Sequence, residues 1–356
     1  MAPLPTKPST PRLSEAARHL KIPSGIVTTG WPAVEAKAAE VGIEYDWWQK
    51  AAGRITLGKR ADGKYAATVG GVVWSVPRQV GKTFTVGSML VMLCLIFPKL
   101  KVVWTAHRTR TCTNTFRAMQ SLVKSGKIAP HVANIRVANG EQEITFKNGS
   151  VIMFGAREQG FGRGIDEVDI EVFDEAQILT IRALEDMVAA TNQARNPHGA
   201  LLFFIGTPPR PIDPGEAFAD KRRQALDGED DLFYLELAAD DDADPDDRKQ
   251  WAKANLSYPK RTPLESMRRL RKNLPSVEAW KREALGIWDQ AAESLVMPAW
   301  PDCYTELEPS RPASIAIAVS VDRAWSSIGA CSTQGHLGSV LRARGTDWVV
   351  AEAQRI

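Results

Sequence analysis

The chain has 356 residues, a length that suits two domains of ordinary size. Its 45 basic and 42 acidic residues give a formal net charge of +3, so a nucleic-acid partner would have to bind a local basic surface. The four cysteines are not spaced as CxxC, which disfavours a zinc site or disulfide framework and favours a reducing compartment. The longest apolar stretch, residues 86–97, is shorter than the roughly 20 residues of a membrane span, so no membrane partner is expected.

The first part of the chain predicts a tail, a helix and a hairpin. Residues 1–30 are predicted to form a flexible N-terminal tail, because they begin with a proline-rich segment that has no apolar core. Residues 32–52 predict a helix. Two β-like runs, residues 65–69 and 72–76, flank Gly70-Gly71 and predict a tight hairpin.

From residue 72 to residue 210 the pattern alternates between strands and helices. The predicted strands are Lys101–Thr105, Val168–Phe173 and Leu201–Gly206. The predicted helices are Lys82–Phe97, Thr109–Ser125 and Ile181–Gln193. A second hairpin is predicted around Asn148-Gly149, between residues 143–146 and 150–155. Near-continuous apolar strands that alternate with helices indicate a parallel sheet buried on both faces, which we assign to a domain over residues 31–238.

The composition changes after residue 238. The acidic run at residues 238–247 is typical of a solvated linker, and residues 246–290 are predicted to be helical and basic. We therefore assign residues 239–312 to a helical linker subdomain. A new β pattern opens at residue 314, so residues 313–356 are predicted to begin another domain.

The strongest local motif runs from Ser75 to Thr83, after an apolar strand and at the start of a helix. Amide N–H groups and the dipole at a helix N-terminus attract phosphates. Lys82 would reach the β- and γ-phosphates of a nucleotide, and Thr83 would offer its hydroxyl to Mg²⁺. The usual first glycine of this motif is Val76 here, so a coil-to-helix junction with a surface lysine is the alternative. The residues predicted to bind the nucleotide are Pro77, Arg78, Gln79, Val80, Gly81, Lys82 and Thr83.

Two further strand ends carry polar groups. The apolar strand that begins at Val168 ends in Asp174 and Glu175, which fit the roles of metal ligand and water-orienting carboxylate in nucleotide hydrolysis. An acidic helix cap is the alternative. Thr207 ends the next strand and would sense the γ-phosphate, unless it is merely part of a strand-to-turn junction.

Two other segments are candidates for ligand contact. A glycine-rich loop with Arg157 and Arg163 suits either DNA contact or an arginine finger that acts on a neighbouring subunit, and an exposed turn is the alternative. Gln49 is a candidate for a hydrogen bond to the adenine edge. At least one of the preceding pair, Trp47 and Trp48, is expected to be a core residue.

These motifs resemble those of the large terminase subunits of tailed bacteriophages. The matching segments are Asp46–Gln49 (adenine motif), Pro77–Thr83 (Walker A), Thr105–Arg108 (the next motif), Phe173–Gln177 (Walker B), Gly206–Pro208 (coupling motif) and Trp280–Trp288 (the segment before the nuclease). Walker A loops of that family carry an early arginine and often lack the first glycine, so Val76 and Arg78 fit the resemblance. Six motifs in the same order make the resemblance specific.

The resemblance implies an α/β P-loop NTPase fold of the ASCE/RecA-like class, a parallel sheet with flanking helices. A helical linker and the start of an RNase H-like domain would follow it. It implies an ATP-hydrolysing motor that uses ATP and Mg²⁺ to move double-stranded DNA into a procapsid. Its implied partners are the portal protein, the small terminase subunit and further copies of the chain in a ring. It would act in the host cytoplasm, transiently at the portal vertex.

Within this motor, Arg78 would touch the γ-phosphate, either in its own subunit or across a subunit boundary. Glu175 would polarise water, and Thr207 would link the phosphate state to the basic helical segment. Asp322 fits the first metal-binding aspartate of the family's nuclease. Two-metal cleavage needs several carboxylates, and neither Asp347 nor Glu352 matches a family position, so this nuclease site is incomplete and we expect no nuclease activity.

Two other functions compete with this interpretation. Residues 174–177 read DEAQ, which resembles the DEAD-box helicases, but residues 240–356 show no pattern of a second P-loop-like sheet. An assembly module that binds nucleotide only for structure is the other alternative. Glu175 argues against it, because a scaffold needs no water-orienting carboxylate.

Overall fold

A computed structural model describes residues 11–138, 140–161, 164–289, 312–320, 325–336 and 341–356. The chain forms two compact units, one ending at Asp289 and the other containing the described residues from 312 onward. Each unit has its own sheet. Among the described helices, none combines the length and the apolar character needed to cross a membrane.

A nine-stranded sheet forms the centre of the first unit. The strands of this unit are β1 (His19–Lys21), β2 (Thr28–Thr29), β3 (Gly58–Lys59), β4 (Gly71–Ser75), β5 (Lys101–Ala106), β6 (Val132–Arg136), β7 (Gln142–Phe146), β8 (Val151–Ala156), β9 (Ile170–Asp174), β10 (Leu201–Gly206) and β11 (Leu232–Glu236). The order across the large sheet is β1-β11-β4-β10-β9-β5-β8-β7-β6, while β2 and β3 form a separate pair. The neighbours from β11 to β8 run parallel, which confirms the predicted parallel sheet.

Helices cover both faces of this sheet. The helices of the first unit are α1 (Leu13–Ala16), α2 (Trp31–Glu40), α3 (Trp47–Thr56), α4 (Lys82–Ile96), α5 (Thr109–Val123), α6 (Ile181–Val188), α7 (Glu216–Leu226), α8 (Arg248–Ala254), α9 (Leu264–Asn273) and α10 (Val277–Leu285). Short 3-10 turns lie at Ala129–His131, Arg157–Gln159, Ala176–Ile178 and Ala189–Thr191. Alternate residues of β4 point to two separate cores: Trp74 packs with α2–α5, and Val73 packs with α6 and α7. This layering confirms the α/β P-loop NTPase fold class.

Two predicted helices differ from the structure in extent. The predicted helix over residues 32–52 is two helices, because Gly42 has a φ of +83° and Asp46 begins α3 as its N-cap. The predicted helix from Ile181 ends at Val188 and continues only as a 3-10 turn.

The hairpin predicted around Gly70-Gly71 is wrong. Residues 66–69 form no strand, and Tyr65 makes only an isolated bridge to Lys59. β4 pairs in parallel with β10 and β11, because a fully buried strand gains main-chain partners on both edges. Gly70 permits a close approach instead, since a Cβ there would lie 2.5 Å from Asp231 Oδ1. The second predicted hairpin is confirmed, since β7 and β8 pair antiparallel across a turn that contains Gly149.

The predicted tail is structured from residue 11 onward. Its residues contribute α1, β1 and β2, and Leu13 is buried in the core. β1 adds antiparallel to β11, with Leu20 opposite Leu235. The tail prediction is therefore wrong for residues 11–30, because an edge strand is stabilised by a distant partner that local composition does not reveal. Positions 1–10 lie outside the described residues.

The segment after β11 contains α8, α9 and α10, which confirms its predicted helical character. Its acidic start packs more closely than a solvated linker, since Ala239 and Ala243 are buried and Asp240 forms ion pairs with Lys253 and Arg18. A local apolar cluster holds the segment together. Its buried members are Ala239, Ala243, Trp251, Ala254, Met267, Trp280, Ala284, Leu285 and Ile287.

The second unit contains β12 (Pro312–Val319), β13 (Trp325–Ser332), β14 (Leu341–Arg344) and α11 (Val349–Arg355). The strands pair antiparallel in chain order, so the β pattern predicted from residue 314 is confirmed. Asp322 lies outside the described residues. Glu352 forms an ion pair with Arg355 on α11. The assignment of this unit to an RNase H-like domain stays a prediction.

Candidate active site

A cavity of about 210 Å³ opens at the carboxyl ends of the central strands. The residues that line it are Arg78, Lys82, Thr83, Thr111, Asn114, Thr115, Asp174, Glu175, Gln177 and Thr207. The sheet register explains this convergence: Ser75 lies opposite Gly206, and Ile205 lies opposite Asp174, so three strands end at one level. The edge beyond the carboxyl ends of parallel strands is where ligands bind in α/β folds.

The loop between β4 and α4 contains two residues with left-handed backbone conformations. Gln79 has a φ of +62°, and Gly81, the N-cap of α4, has a φ of +98°. A side chain at position 81 would be strained at that angle, so the backbone here favours glycine. α4 then begins at Lys82, and the first amides of a helix lack intrahelical acceptors, so they are available to phosphate oxygens.

The helical segment after β11 holds this loop through consecutive contacts. Arg78 N donates to Glu283 O at 2.9 Å, Thr262 Oγ1 donates to Gln79 O at 2.8 Å, and Ser257 Oγ donates to Val80 O at 2.7 Å. The backbone groups that face this segment are therefore satisfied, and the loop is fixed before any ligand binds. A rearrangement of α10, or of the turn between α8 and α9, would therefore move the loop.

Arg78 lines the cavity but is engaged by the same segment. Its Nε lies 2.5 Å from Glu283 Oε2, and its side chain is 56% exposed. The structure thus brings Arg78 to the predicted site and pairs it with a carboxylate of α10. Contact with a γ-phosphate would require the guanidinium to share or leave this ion pair.

Lys82 and Asp174 form the electrostatic centre of the cavity. Burial lowers the pKa of Lys82, and the negative charge of Asp174 opposes that shift. Burial raises the pKa of Asp174, and the positive charge of Lys82 opposes that shift in turn. Each group therefore favours the charged form of the other. Thr83 lines the same cavity, so a hydroxyl and a carboxylate oxygen are both present, which are ligands that Mg²⁺ accepts together with substrate phosphates.

Glu175 adopts an uncommon backbone conformation at the end of β9. Its φ is +54°, a left-handed value that non-glycine residues rarely take and that concentrates at functional sites. Its N–H donates to Asp174 Oδ1 at 2.9 Å, and its Oε1 accepts from Thr111 Oγ1 at 3.1 Å. Among the described residues no group hydrogen-bonds its buried Oε2. That oxygen therefore keeps its full capacity to accept a hydrogen bond.

Arg157 stabilises the backbone of Glu175 through hydrogen bonds to main-chain carbonyl groups. Its guanidinium is buried and donates to Thr105 O at 3.2 Å, to Asp174 O at 2.8 Å and to Glu175 O at 3.3 Å. Burial lowers its pKa to about 10, so it stays cationic at neutral pH. The predictions of a DNA contact, an arginine finger or an exposed turn are therefore wrong for Arg157, because its donors serve the main chain of the acidic strand end. Arg163 lies outside the described residues.

Gln49 also lies in the interior. Its Oε1 accepts from Asp46 N at 2.8 Å, and its Nε2 donates to Thr85 Oγ1 at 2.7 Å, so it connects the start of α3 to α4. It is 1% exposed, and contact with adenine would require it to turn outward. Trp48 is fully buried, as expected for one of the two tryptophans, while Trp47 is half-buried.

The strand end at Thr207 lies within the site. Thr207 is buried and lines the cavity, as its predicted role requires. The preceding Gly206 allows Gln177 to approach, because a Cβ at position 206 would lie 2.5 Å from Gln177 Oε1. Gln177 also lines the cavity, so the whole acidic motif contributes to it.

Helix α5 contributes a side of the cavity that the sequence motifs did not predict. Thr111, Asn114 and Thr115 all line the cavity, and Asn114 and Thr115 both lie about one helical turn after Thr111. A signal existed, since the polar face of α5 starts directly after the buried strand β5. Threonine and asparagine are too common on helix surfaces for that signal to single them out.

Glu171 is a second buried carboxylate of β9, behind the site. Burial raises its pKa to about 8, and no described residue hydrogen-bonds its Oε2. The folded state therefore binds a proton that the unfolded state releases near its ordinary pKa of 4.5. The stability that this proton contributes is present below pH 4.5 and is lost as the pH rises to 8.

We expect Glu171→Gln to weaken this pH dependence, because the amide keeps the shape of the neutral acid and cannot ionise. Its urea midpoint relative to that of the parent chain should rise between pH 5 and pH 8. Glu185→Gln, on the exposed face of α6, is the control and should show no such trend. An offset between Glu171→Gln and the parent that stays constant with pH would contradict the assignment.

The sequence and structure were compared with those of known proteins. No protein-family model and no curated protein matches the chain. The structure is similar to the large terminase of bacteriophage HK97, with a TM-score of 0.63 and 16% identity, over 92% of this chain and 70% of that one. It is also similar to a mutant ATPase domain of the Thermus phage P74-26 large terminase, with a TM-score of 0.50 and 14% identity, over 71% and 97% of the two chains. The chain therefore has the fold of the bacteriophage large terminases.

Proposed function

We propose that the chain binds ATP in the cavity at the carboxyl edge of the sheet and hydrolyses it. The observation that carries this proposal is the convergence of Lys82, Thr83, Asp174 and Glu175 on one small cavity. Phosphoryl transfer to water needs positive charge on the phosphates, oxygen ligands for a metal ion and a group that orients the water. The four side chains supply these three requirements from two strand ends.

Each residue then has a defined task. The amides of the loop and the ammonium of Lys82 would hold the β- and γ-phosphates, and Thr83 and Asp174 would hold Mg²⁺. When bound, Mg²⁺ would supply positive charge that offsets the negative charge of the phosphates. Glu175 orients the attacking water through Oε2, while Thr207 faces the γ-phosphate side of the cavity. Arg78 adds positive charge when it leaves Glu283.

We further propose that hydrolysis moves double-stranded DNA into a procapsid. In this proposal several copies form a ring on the portal protein, with the small terminase subunit as a further partner, in the host cytoplasm. The fold shared with phage large terminases supports this function. A helicase is less well supported, because the described part of the second unit is a three-stranded antiparallel sheet rather than a second parallel P-loop sheet.

The test is the substitution Lys82→Ala, with Lys147→Ala on an exposed turn as the matched control. We expect Lys82→Ala to weaken binding of ATP at least about tenfold and to reduce turnover by about a hundredfold or more, because the phosphates lose a positive charge in the cavity. Binding is measured by calorimetry and turnover by phosphate release. The control should match the parent chain in both.

ATP turnover by Lys82→Ala at the parental rate would contradict the proposed active site. A forked-duplex assay separates the two motor functions. ATP-dependent separation of its strands would favour the helicase, whereas ATP turnover without strand separation agrees with translocation along intact duplex.

A further inference from the structure

Helix α5 combines a strongly basic outer surface with a contact to the candidate catalytic carboxylate. Residues 107–140 contain six lysine and arginine residues and no aspartate or glutamate, within a chain whose formal net charge is only +3. Arg110, Arg117 and Lys124 are all exposed. Their spacing of seven residues, close to two helical turns, places them along one side of the helix. We call these three residues the α5 stripe.

The α5 stripe is not neutralised by its surroundings. Among the described residues, none forms an ion pair with Arg110, Arg117 or Lys124 at 4.0 Å or closer. Glu158, an acidic residue near the helix start, accepts hydrogen bonds from the backbone and hydroxyl of Thr109 instead. Between Arg110 and Lys124 the stripe extends about 21 Å, from the rise of 1.5 Å per residue. A linear row of free cations of this length fits a linear polyanion.

The opposite side of α5 fixes the helix to the core. Cys112, Phe116, Met119 and Val123 are buried against the sheet. The helix also reaches the cavity at its N-terminal end, where Thr111 Oγ1 donates to Glu175 Oε1 at 3.1 Å. A ligand bound to the stripe would therefore contact a helix that is packed on the core and that also hydrogen-bonds Glu175.

We propose that the α5 stripe binds the phosphates of duplex DNA, and that Thr111 couples this contact to the orientation of Glu175. The proposal rests on the proposed ATPase function for the second step only. Duplex DNA carries about one charge per 1.7 Å of axis, so it offers phosphates to the whole stripe without requiring a particular base sequence. Thr111 acts as a positioning residue, because its hydroxyl holds Oε1 and leaves Oε2 directed to the water.

The first experiment measures DNA affinity as a function of salt. The variant is Arg110→Ala/Arg117→Ala/Lys124→Ala, and the control removes the same charges from the exposed side of α9, Arg268→Ala/Arg269→Ala/Lys272→Ala. We expect the α5 variant to bind duplex DNA about tenfold or more weakly at 0.1 M salt, with a salt slope lower by about one for each residue removed. Two unrelated duplexes should lose affinity equally. Basal ATP turnover should stay at the parental level, since no residue of the stripe lines the cavity.

Equal DNA affinity and salt slope in the parent and the α5 variant would overturn the proposal, whether or not the chain hydrolyses ATP. Loss of self-association with retained DNA affinity would also overturn it, because the stripe would then contact another copy of the chain. Absence of ATP turnover in the parent would instead refute the proposed function and leave the DNA result standing.

The second experiment tests Thr111. We expect Thr111→Val to lower kcat in the presence of DNA about tenfold while KM for ATP and DNA affinity are unchanged, because only the orientation of Glu175 is lost. Thr111→Ser keeps the hydroxyl and should restore kcat. Parental kcat in Thr111→Val, with and without DNA, would overturn the coupling.

Discussion

Replacement of Glu175 by glutamine is expected to reduce ATP turnover about a hundredfold or more while leaving ATP binding intact. General-base assistance contributes about 10²–10⁴ in rate, and the amide cannot accept a proton from water. Glutamine has the same length and still offers an oxygen to Thr111, so the geometry of the cavity should persist. Single-turnover hydrolysis and calorimetric titration of ATP separate the two effects.

Glu185→Gln is the control for this substitution, because it makes the same chemical change on the exposed face of α6. It should hydrolyse ATP like the parent chain. Turnover by Glu175→Gln within about twofold of that control would refute the role of Glu175 and favour a protein that binds nucleotide only for structure.

Replacement of Arg157 by methionine is expected to affect both stability and turnover. Methionine fills similar space but leaves the carbonyls of Thr105, Asp174 and Glu175 without their buried donor. Loss of a charged donor to buried acceptors costs about 3 kcal/mol, so the urea midpoint should fall clearly. Turnover should fall more than tenfold in the still folded protein, since the left-handed conformation of Glu175 loses its support.

Arg182→Met provides the control, because Arg182 is exposed on α6 and forms no ion pair within the described residues. Unfolding and turnover are measured at the same pH for both variants. If Arg157→Met matched Arg182→Met in both stability and turnover, the hydrogen bonds of Arg157 to the main chain would be dispensable.

The parts of the site that lie within one strand–loop–helix unit could be predicted from the sequence. The apolar runs before Ser75, Asp174 and Thr207 mark buried parallel strands, and polar residues directly after such strands meet at one edge. Gly81 and Lys82 could also be predicted locally, because glycine favours the left-handed conformation and the helix starts directly after it. The cavity accordingly contains Arg78, Lys82, Thr83, Asp174, Glu175 and Thr207, as the motifs predicted.

The remaining parts depend on contacts between distant segments. Arg157 reads as a loop arginine, and only the fold shows that its guanidinium reaches the carbonyl of Asp174. Thr262 and Ser257 hydrogen-bond the loop between β4 and α4, although they lie about 180 residues later in the sequence. No local pattern indicates these contacts. The hairpin predicted around Gly70-Gly71 was wrong for the same reason, because β4 pairs with β10 and β11, which are distant in sequence. Local sequence patterns therefore predicted which residues line the cavity. The contacts that hold these residues in place come from distant segments and could not be predicted.

The proposed ATPase function is tested most directly by ATP hydrolysis by the purified chain in Mg²⁺, measured as phosphate release with and without long duplex DNA. We expect hydrolysis above the buffer background, and we expect it to be lost in Lys82→Ala and increased by DNA. Hydrolysis at the buffer background under both conditions, from a folded chain that also fails to bind ATP, would contradict it.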